Sequence, residues 1–230
     1  MSTCVACDAH YQPDSYRPDT TPGFLERLDA LAEEANLVVV AGDCAEGQQG
    51  WKGWRVWHAQ RVVAGLDPDR RIIYLRGNHD PTEYLLYHWH SEDRKVAALH
   101  GHALPLLDPD TLAETGVVTE LDPWLDRHLG GLVGRVVGWL ERRISADADV
   151  VLAGWYRRLH RWLWPHAGGR HGQWHRYAVP IAEWARRYGF TVVYFGHLHE
   201  RWEITIGGTR LVCCGSCVNG EMDFVEIDHA

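Results

Sequence analysis

Histidine and carboxylate residues occur in five short groups, and each group directly follows an apolar run of the kind that forms β-strands. The groups are Asp8-Ala9-His10, Gly42-Asp43, Gly77-Asn78-His79-Asp80, His100-Gly101-His102 and Gly196-His197-Leu198-His199. Carboxylate, amide and imidazole groups are ligands of divalent metal ions, and open α/β sheets place their chemistry at strand ends. The sequence therefore predicts that these side chains converge on one metal site.

The spacing indicates how the ligands are shared. Asp8 and His10 stand two residues apart at a strand end, so both can reach one cation. Asp43 has two carboxylate oxygens and can bridge two cations about 3.5–4 Å apart. The alternative is an aspartate that caps the following helix. His197 and His199, again two residues apart, can reach two neighbouring cations.

A second set of polar residues indicates further ligands and acid chemistry. Asn78 offers a neutral carbonyl oxygen to a cation. His79 stands next to Asp80. A neighbouring carboxylate can orient an imidazole so that it serves as a general acid or an electrostatic stabiliser. His100 directly follows its strand and is the predicted ligand. His102 supports that ligand, contacts the substrate or has a structural role only.

The elements that would position these residues follow from the apolar pattern. Continuous apolar runs predict central strands at residues 3–7, 37–41, 72–75, 95–99 and 191–195. Helices are predicted at 23–36, 48–66 and 81–90. An antiparallel meander, with Gly207-Gly208 as its hairpin turn, is predicted from the runs at 202–206, 209–213 and 223–227.

Between residues 120 and 188 the apolar spacing becomes helical, which predicts a helical insertion between the fourth and fifth central strands. From Val150 to Ala182 the chain has no acidic residue, and arginines are interleaved with tryptophans. Such residues suit an amphipathic anionic ligand or a membrane interface, so Trp155, Arg157 and Arg161 are candidate substrate contacts. The alternative is a helical hairpin that packs its apolar side on the sheet and exposes a basic face.

Composition narrows the class of protein. With 230 residues, 46% of them hydrophobic, the chain can form a single domain over 1–230 with its own core. The net charge of −8 argues against nucleic acid as a partner. The sequence has no run of about 18 apolar residues, the length of a membrane span. We expect a cytoplasmic protein that contacts the inner face of the membrane peripherally, if at all.

The six cysteines fit a reducing, cytoplasmic environment. Cys4-x-x-Cys7 and Cys214-x-x-Cys217 together have the spacing of a four-thiolate zinc site. Both pairs lie in or beside predicted strands, where that spacing points the two thiols to opposite faces of the sheet. Buried small residues are therefore the preferred interpretation, and a structural zinc ion is the alternative.

The five groups, in this order, resemble the signature of the calcineurin-like metallophosphoesterases, and the resemblance covers the chain apart from the insertion. It implies an α/β (α+β) fold, a four-layer αββα sandwich with its metal site at the strand ends. It also implies two divalent metal ions with four ligands each. The implied ligands are Asp8, His10, Asp43 and His199 for one ion, and Asp43, Asn78, His100 and His197 for the other.

The implied reaction is hydrolysis of a phosphoester or pyrophosphate bond, with His79 and Asp80 as catalytic residues. Manganese is the expected metal, although iron, zinc and cobalt suit the same mixed ligands. The motif spacing, Glu46 and the long insertion resemble the UDP-2,3-diacylglucosamine pyrophosphatases of lipid A synthesis, which use such an insertion as a lid over acyl chains. Those enzymes typically have arginine at the position of His79 and His-Gly-Asp at 100–102.

Three kinds of function follow from these expectations. The first is hydrolysis of a phosphorylated small molecule or lipid, with peripheral membrane contact through the Trp- and Arg-rich insertion. The second is a nucleotide, protein or nucleic-acid phosphoesterase of the same superfamily. The third is a non-catalytic, metal-stabilised module that binds a membrane or a partner protein.

Overall fold

The computed structural model describes residues 3–11, 23–45, 71–80, 85–121, 172–217 and 222–227. The strands in these ranges are β1 (Thr3–Ala6), β2 (Leu37–Val40), β3 (Ile72–Tyr74), β4 (His88–His90), β5 (Val96–Leu99), β6 (Ala103–Leu107), β7 (Glu114–Glu120), β8 (Val192–Phe195), β9 (Arg201–Ile206), β10 (Thr209–Cys214) and β11 (Val225–Glu226). The helices are α1 (Phe24–Glu34) and α2 (Gly172–Tyr188). Neither α1 nor α2 has the length and apolar character that a membrane crossing requires.

The first sheet has the strand order β11-β1-β2-β3. The neighbours β1, β2 and β3 run parallel, and β11 pairs with β1 in the antiparallel direction. Three consecutive valines of β2 are completely buried, as expected for a central strand that is covered on both faces. Because the three parallel strands end at one edge of the sheet, they deliver Asp8, Asp43 and Asn78 to the same place.

The second sheet has the strand order β4-β5-β8-β10-β9. Its central strands β5, β8 and β10 are parallel, whereas the edge strands β4 and β9 are antiparallel to their neighbours. His100 follows β5 and His197 follows β8, so this sheet also brings candidate ligands to one edge. Strands β6 and β7 form a separate two-stranded hairpin.

The helices and sheets stack in four layers around three apolar clusters. One cluster lies between the two sheets and includes Val39 of β2 and Val212 of β10. A second joins Phe24 and Leu28 of α1 to the outer face of the first sheet. The third joins α2, through residues such as Ile181, to the outer face of the second sheet. The predicted αββα sandwich is confirmed.

The five predicted central strands and the helix at 23–36 are confirmed, with ends that differ by at most two residues. The helix predicted at 81–90 is wrong where the structure describes it, because His88–His90 form the edge strand β4 beside β5. Trp89 favours such an extended conformation. The meander is wrong in its last strand, since β11 pairs with β1 of the other sheet. Its first hairpin, through Gly207 and Gly208, is confirmed.

The predicted helix at 48–66 and residues 122–171 of the predicted insertion lie outside the described residues. Helix α2 begins at Gly172 and ends at Tyr188, so helical structure near the C-terminal end of the range predicted as an insertion is confirmed. The single domain over 1–230, with an insertion at 120–188, stays a prediction.

One carboxylate joins the edge strand β4 to the β6–β7 hairpin. Glu114 Oε1 accepts hydrogen bonds from the backbone N–H groups of Tyr87 (2.7 Å) and His88 (2.8 Å), and it lies 2.7 Å from His88 Nδ1. His88 is only 5% exposed. Loss of the carboxylate would therefore leave donors without an acceptor in a largely buried place.

We expect Glu114→Ala to lower the free energy of unfolding by about 1–3 kcal/mol, because buried donors would lose their acceptor. Urea denaturation measures this change. Glu203→Ala is the matched control, since it removes a partly exposed carboxylate that pairs with Arg210, and it should cost less than about 1 kcal/mol. Equal losses in the two variants would contradict a special role for Glu114.

Candidate metal centre

Candidate ligand atoms from both sheets lie together where the strands end. Three groups of side chains each place their ligand atoms within 4.8 Å of one another. The groups are Asp8, His10 and His199; His10, Asp43 and His79; and Asp43, His100 and His197. Six of the seven ligands predicted from the sequence belong to these groups. The seventh, Asn78, follows β3 at the same edge, and its Oδ1 atom is buried.

Asp43 lies at the centre of the cluster. Its Oδ2 is 3.2 Å from His100 Nε2, 3.7 Å from His10 Nε2 and 4.0 Å from His79 Nε2. Its Oδ1 accepts a 2.8 Å hydrogen bond from the backbone N–H of His79, and the residue is 1% exposed. A carboxylate that contacts imidazoles from both sheets has the placement that bridging two cations requires.

Asp8 is the second buried carboxylate of the site. Its Oδ1 lies 3.1 Å from His100 Nε2 and 3.4 Å from His199 Nε2. Its Oδ2 accepts a 2.7 Å hydrogen bond from the backbone N–H of His197. His10 Nε2 lies 3.2 Å from His199 Nε2, so Asp8, His10 and His199 form one side of the site.

The buried charges shift one another's pKa values. Burial alone would raise the pKa of Asp8 and Asp43, but His199 beside Asp8 and His100 beside Asp43 hold both well below the usual value. Burial would lower the pKa of His100, but the carboxylates of Asp43 and Asp8 raise it to about 10. Burial and the charge of His100 lower the pKa of His197 to about 3. The carboxylates are thus compensated by protonated imidazoles, a role that a divalent cation would take over.

The backbone of the candidate ligands is strained. In the described part of the chain, seven non-glycine residues have a positive φ, and five of these are candidate ligands. They are Asp8 (54°), His10 (46°), Asp43 (49°), His197 (72°) and His199 (52°). Such conformations cost on the order of 1–3 kcal/mol each and cluster at functional sites. The concentration of strain at one place supports a functional site there.

Two glycines allow the backbone to approach the buried carboxylates closely. A Cβ atom at Gly77 would lie 2.0 Å from Asp43 Oδ1, and one at Gly196 would lie 2.2 Å from Asp8 Oδ2 and 2.7 Å from Cys7 Cβ. Any side chain at either position would displace its aspartate. In the sequence, the position of Gly196 directly before His197 is the signal that indicates this role.

The two residues predicted to be catalytic have different surroundings. The ring of His79 packs edge-on against His10, with centroids 4.6 Å apart, and its side chain is 24% exposed. It therefore borders the site on an accessible side. Asp80 is 2% exposed, and its carboxylate accepts hydrogen bonds from the backbone N–H groups of Gly77 (3.0 Å) and Ala45 (3.4 Å). These bonds connect the loops after β2 and β3 and fix their relative position.

His102 lies behind the candidate ligand His100. Its Nδ1 is 2.9 Å from His100 Nδ1, on the side of the imidazole opposite the Nε2 that faces the carboxylates. Burial and the nearby charge of His100 lower the pKa of His102 to about 2, so it is a neutral acceptor at neutral pH. This position favours a role for His102 in supporting the candidate ligand His100.

The structure adds Tyr177 to the site. Its hydroxyl oxygen lies 3.4 Å from His197 Nε2. In the sequence, Tyr177 falls on the apolar side of a helix, a pattern that indicates packing, so no sequence signal could single it out. The candidate substrate contacts Trp155, Arg157 and Arg161 lie outside the described residues.

The paired cysteines are free thiols. Cys7, Cys214 and Cys217 are buried, as predicted, whereas Cys4 is partly exposed. A hydrogen bond with Cys214, together with burial, raises the pKa of Cys7 well above its usual value. Burial raises the pKa of Cys217 to about 12. Within the described ranges, the groups of side chains that could hold a metal ion contain no thiol.

A family model described as calcineurin-like phosphoesterase matches residues 1–201. No curated protein matches the chain.

Among solved structures, a conserved uncharacterized protein from Streptococcus pneumoniae TIGR4, titled a predicted phosphoesterase, aligns with 15% identity and a TM-score of 0.43 over 99% of this chain and 83% of its own. Vps29 from Entamoeba histolytica, complexed with Zn²⁺, aligns with 16% identity and a TM-score of 0.42, over 94% of this chain and 74% of the Vps29 chain. Phosphopantetheinyl hydrolase from Mycobacterium tuberculosis aligns with 13% identity and a TM-score of 0.41, over 94% of this chain and 90% of the hydrolase chain.

Gly196→Ala tests the close approach of the backbone to Asp8. The added Cβ would overlap Asp8 Oδ2, so we expect affinity for Mn²⁺ to fall by about 10–100-fold, as when a metal ligand loses its support. Isothermal titration calorimetry measures the affinity. Gly116→Ala is the control, because a Cβ there meets nothing within 4 Å. Unchanged affinity in Gly196→Ala would show that Asp8 does not depend on this glycine.

Metal binding is expected to release protons. Despite its burial, His100 has a pKa that Asp43 and Asp8 raise to about 10, so it is protonated at neutral pH in the metal-free protein. A cation that takes its Nε2 must displace this proton, and affinity for Mn²⁺ should rise from about pH 6 to about pH 8. Calorimetry in buffers of different ionisation enthalpy measures the protons released. Affinity that is independent of pH, with no proton release, would contradict a protonated His100.

Proposed function

The chain belongs to the calcineurin-like phosphoesterase family, and we propose that it hydrolyses a phosphoester or pyrophosphate bond with the help of two divalent metal ions. The observation that carries this proposal is the carboxylate of Asp43, which is shared by two of the three groups of ligand atoms. A shared carboxylate supports a dinuclear centre, the arrangement that can stabilise both the attacking and the leaving oxygen of a phosphoryl group.

The two ligand sets that the family resemblance implies share Asp43. One set is Asp8, His10, Asp43 and His199, and the other is Asp43, Asn78, His100 and His197. Divalent ions held there would neutralise phosphoryl oxygens and lower the pKa of bound water towards about 7. The buried carboxylates, anchored by backbone N–H groups, keep these ligands in place, so the site binds a phosphate without first reorganising.

His79 is the candidate proton donor to the leaving oxygen. Its ring borders the site beside His10, and its backbone N–H is anchored on Asp43 Oδ1. With its side chain 24% exposed, the imidazole can reach both a bound substrate and solvent. A positioned acid of this kind contributes about 10²–10⁴ to a reaction rate. Asp80 would act indirectly, through the loops that it holds together.

For the substrate we propose a phosphorylated small molecule or lipid, with the pyrophosphate of a UDP-linked lipid as the finer candidate. The supporting feature is the stretch from Val150 to Ala182, whose arginines and tryptophans suit an anionic lipid. The same stretch supports peripheral contact with the inner face of the membrane, and the free cysteines support a cytoplasmic location. The net charge of −8 argues against nucleic acid as the substrate.

We expect Asp43→Ala to lose both bound metal and nearly all turnover, because both ligand sets share this carboxylate. His79→Ala should keep its metal and lose about 10²–10⁴ in rate. Mn²⁺-loaded wild type and variants are assayed on UDP-linked lipid, nucleotide, phosphoprotein and DNA substrates, and bound metal is measured by mass spectrometry. His90→Ala is the control, since its Nδ1 contacts the carbonyl of Ser91 and it belongs to none of the three ligand groups.

The outcomes separate the rival functions. Wild-type turnover in Asp43→Ala would refute the dinuclear mechanism, and an unchanged rate in His79→Ala would remove this residue from it. Metal binding without turnover on any substrate would favour a non-catalytic module. Preference for a nucleotide, a phosphoprotein or DNA would replace the lipid proposal and leave the reaction class intact.

A further inference from the structure

Tyr177 extends from helix α2 to the metal centre. Its hydroxyl oxygen lies 3.4 Å from His197 Nε2, and the two rings meet at 60° with centroids 5.4 Å apart. Tyr177 is 4% exposed. It belongs to none of the five sequence motifs that supply the candidate ligands, and it approaches the site from the layer outside the second sheet.

The position of the hydroxyl is fixed by the rest of α2. Ala178 and Ile181 are completely buried in the cluster between α2 and the second sheet. Further along the helix, Trp184 Nε1 donates a 2.7 Å hydrogen bond to the carbonyl of Pro105. Near the end of the helix, Tyr188 Oη accepts a 3.1 Å hydrogen bond from the backbone N–H of Leu107. The Tyr177 side chain is therefore held at the site by a packed helix.

The chemistry of the contact indicates what the hydroxyl would do in the loaded site. A ligand atom of His197 lies within 4.8 Å of those of Asp43 and His100. If the Nε2 lone pair of His197 binds a cation, that nitrogen can no longer accept a hydrogen bond from the Tyr177 hydroxyl. The hydroxyl can then donate its hydrogen bond to a different acceptor beside His197. A phosphate oxygen on the same cation offers that acceptor, with negative charge to strengthen the bond.

We propose that Tyr177 is a substrate-binding residue whose hydroxyl donates a hydrogen bond to a non-bridging oxygen of the phosphate. This inference rests on the proposed function, since it assumes that a phosphate binds at the metal centre. The phenol stays neutral and transfers no proton. Its contribution is to orient the phosphoryl group from the side of His197.

Tyr177→Phe tests the proposal because it keeps the buried ring and removes only the hydroxyl. We expect unchanged Mn²⁺ content and about 10–100-fold weaker binding of inorganic phosphate to the Mn²⁺-loaded chain, the usual effect of losing one hydrogen bond to a charged group. Calorimetric titration with phosphate measures the affinity without any turnover. Tyr188→Phe is the matched control on the same helix. It loses a hydroxyl that contacts Leu107 and should bind phosphate as the wild type does.

The remaining outcomes distinguish this inference from the proposed function. Unchanged phosphate affinity in Tyr177→Phe would overturn the inference, and so would a loss of bound metal, which would make Tyr177 a ligand or a support for one. Weaker phosphate binding in Tyr177→Phe, in a wild type that hydrolyses none of the substrates, would uphold the contact and refute the enzymatic proposal. A metal-loaded wild type that binds no phosphate would overturn both.

Discussion

The structure depends on the meeting of two buried carboxylates at one imidazole. Asp8 and Asp43 come from neighbouring parallel strands of one sheet, and both lie within about 3.2 Å of His100 Nε2 from the other sheet. Two uncompensated negative charges in this place would cost several kcal/mol each. The surrounding imidazoles provide the compensating positive charge, and the arrangement allows divalent ions to provide it instead. Ion pairs at the site therefore connect the two sheets.

The backbone around these two carboxylates is unusual. Five of the candidate ligands have left-handed conformations, and Gly77 and Gly196 stand where a Cβ would overlap a carboxylate oxygen. Such strain persists only when the surrounding structure determines it. The three apolar clusters of the sandwich supply that rigid surrounding.

Much of the fold, and the convergence of most candidate ligands, were predictable from sequence because both depend on local patterns. Buried strands are continuous apolar runs, and Asp43 or His197 at the end of such a run has no packing explanation. Prediction failed where the structure of a segment depends on residues that are far away in the sequence. The antiparallel pairing of β11 with β1 joins the two ends of the chain, and β4 is a strand because the edge of β5 lies beside it. Tyr177 could not be identified from the sequence, because an aromatic residue on the apolar face of a helix is normally part of the hydrophobic core.

In the proposed reaction the Asp43 carboxylate would bridge two divalent ions. X-ray diffraction from crystals of the Mn²⁺-loaded chain, with an anomalous difference map at the manganese edge, measures their positions. We expect two anomalous peaks about 3.5–4 Å apart, with the Asp43 carboxylate between them. A single peak, or two peaks that leave Asp43 without a metal contact, would contradict it.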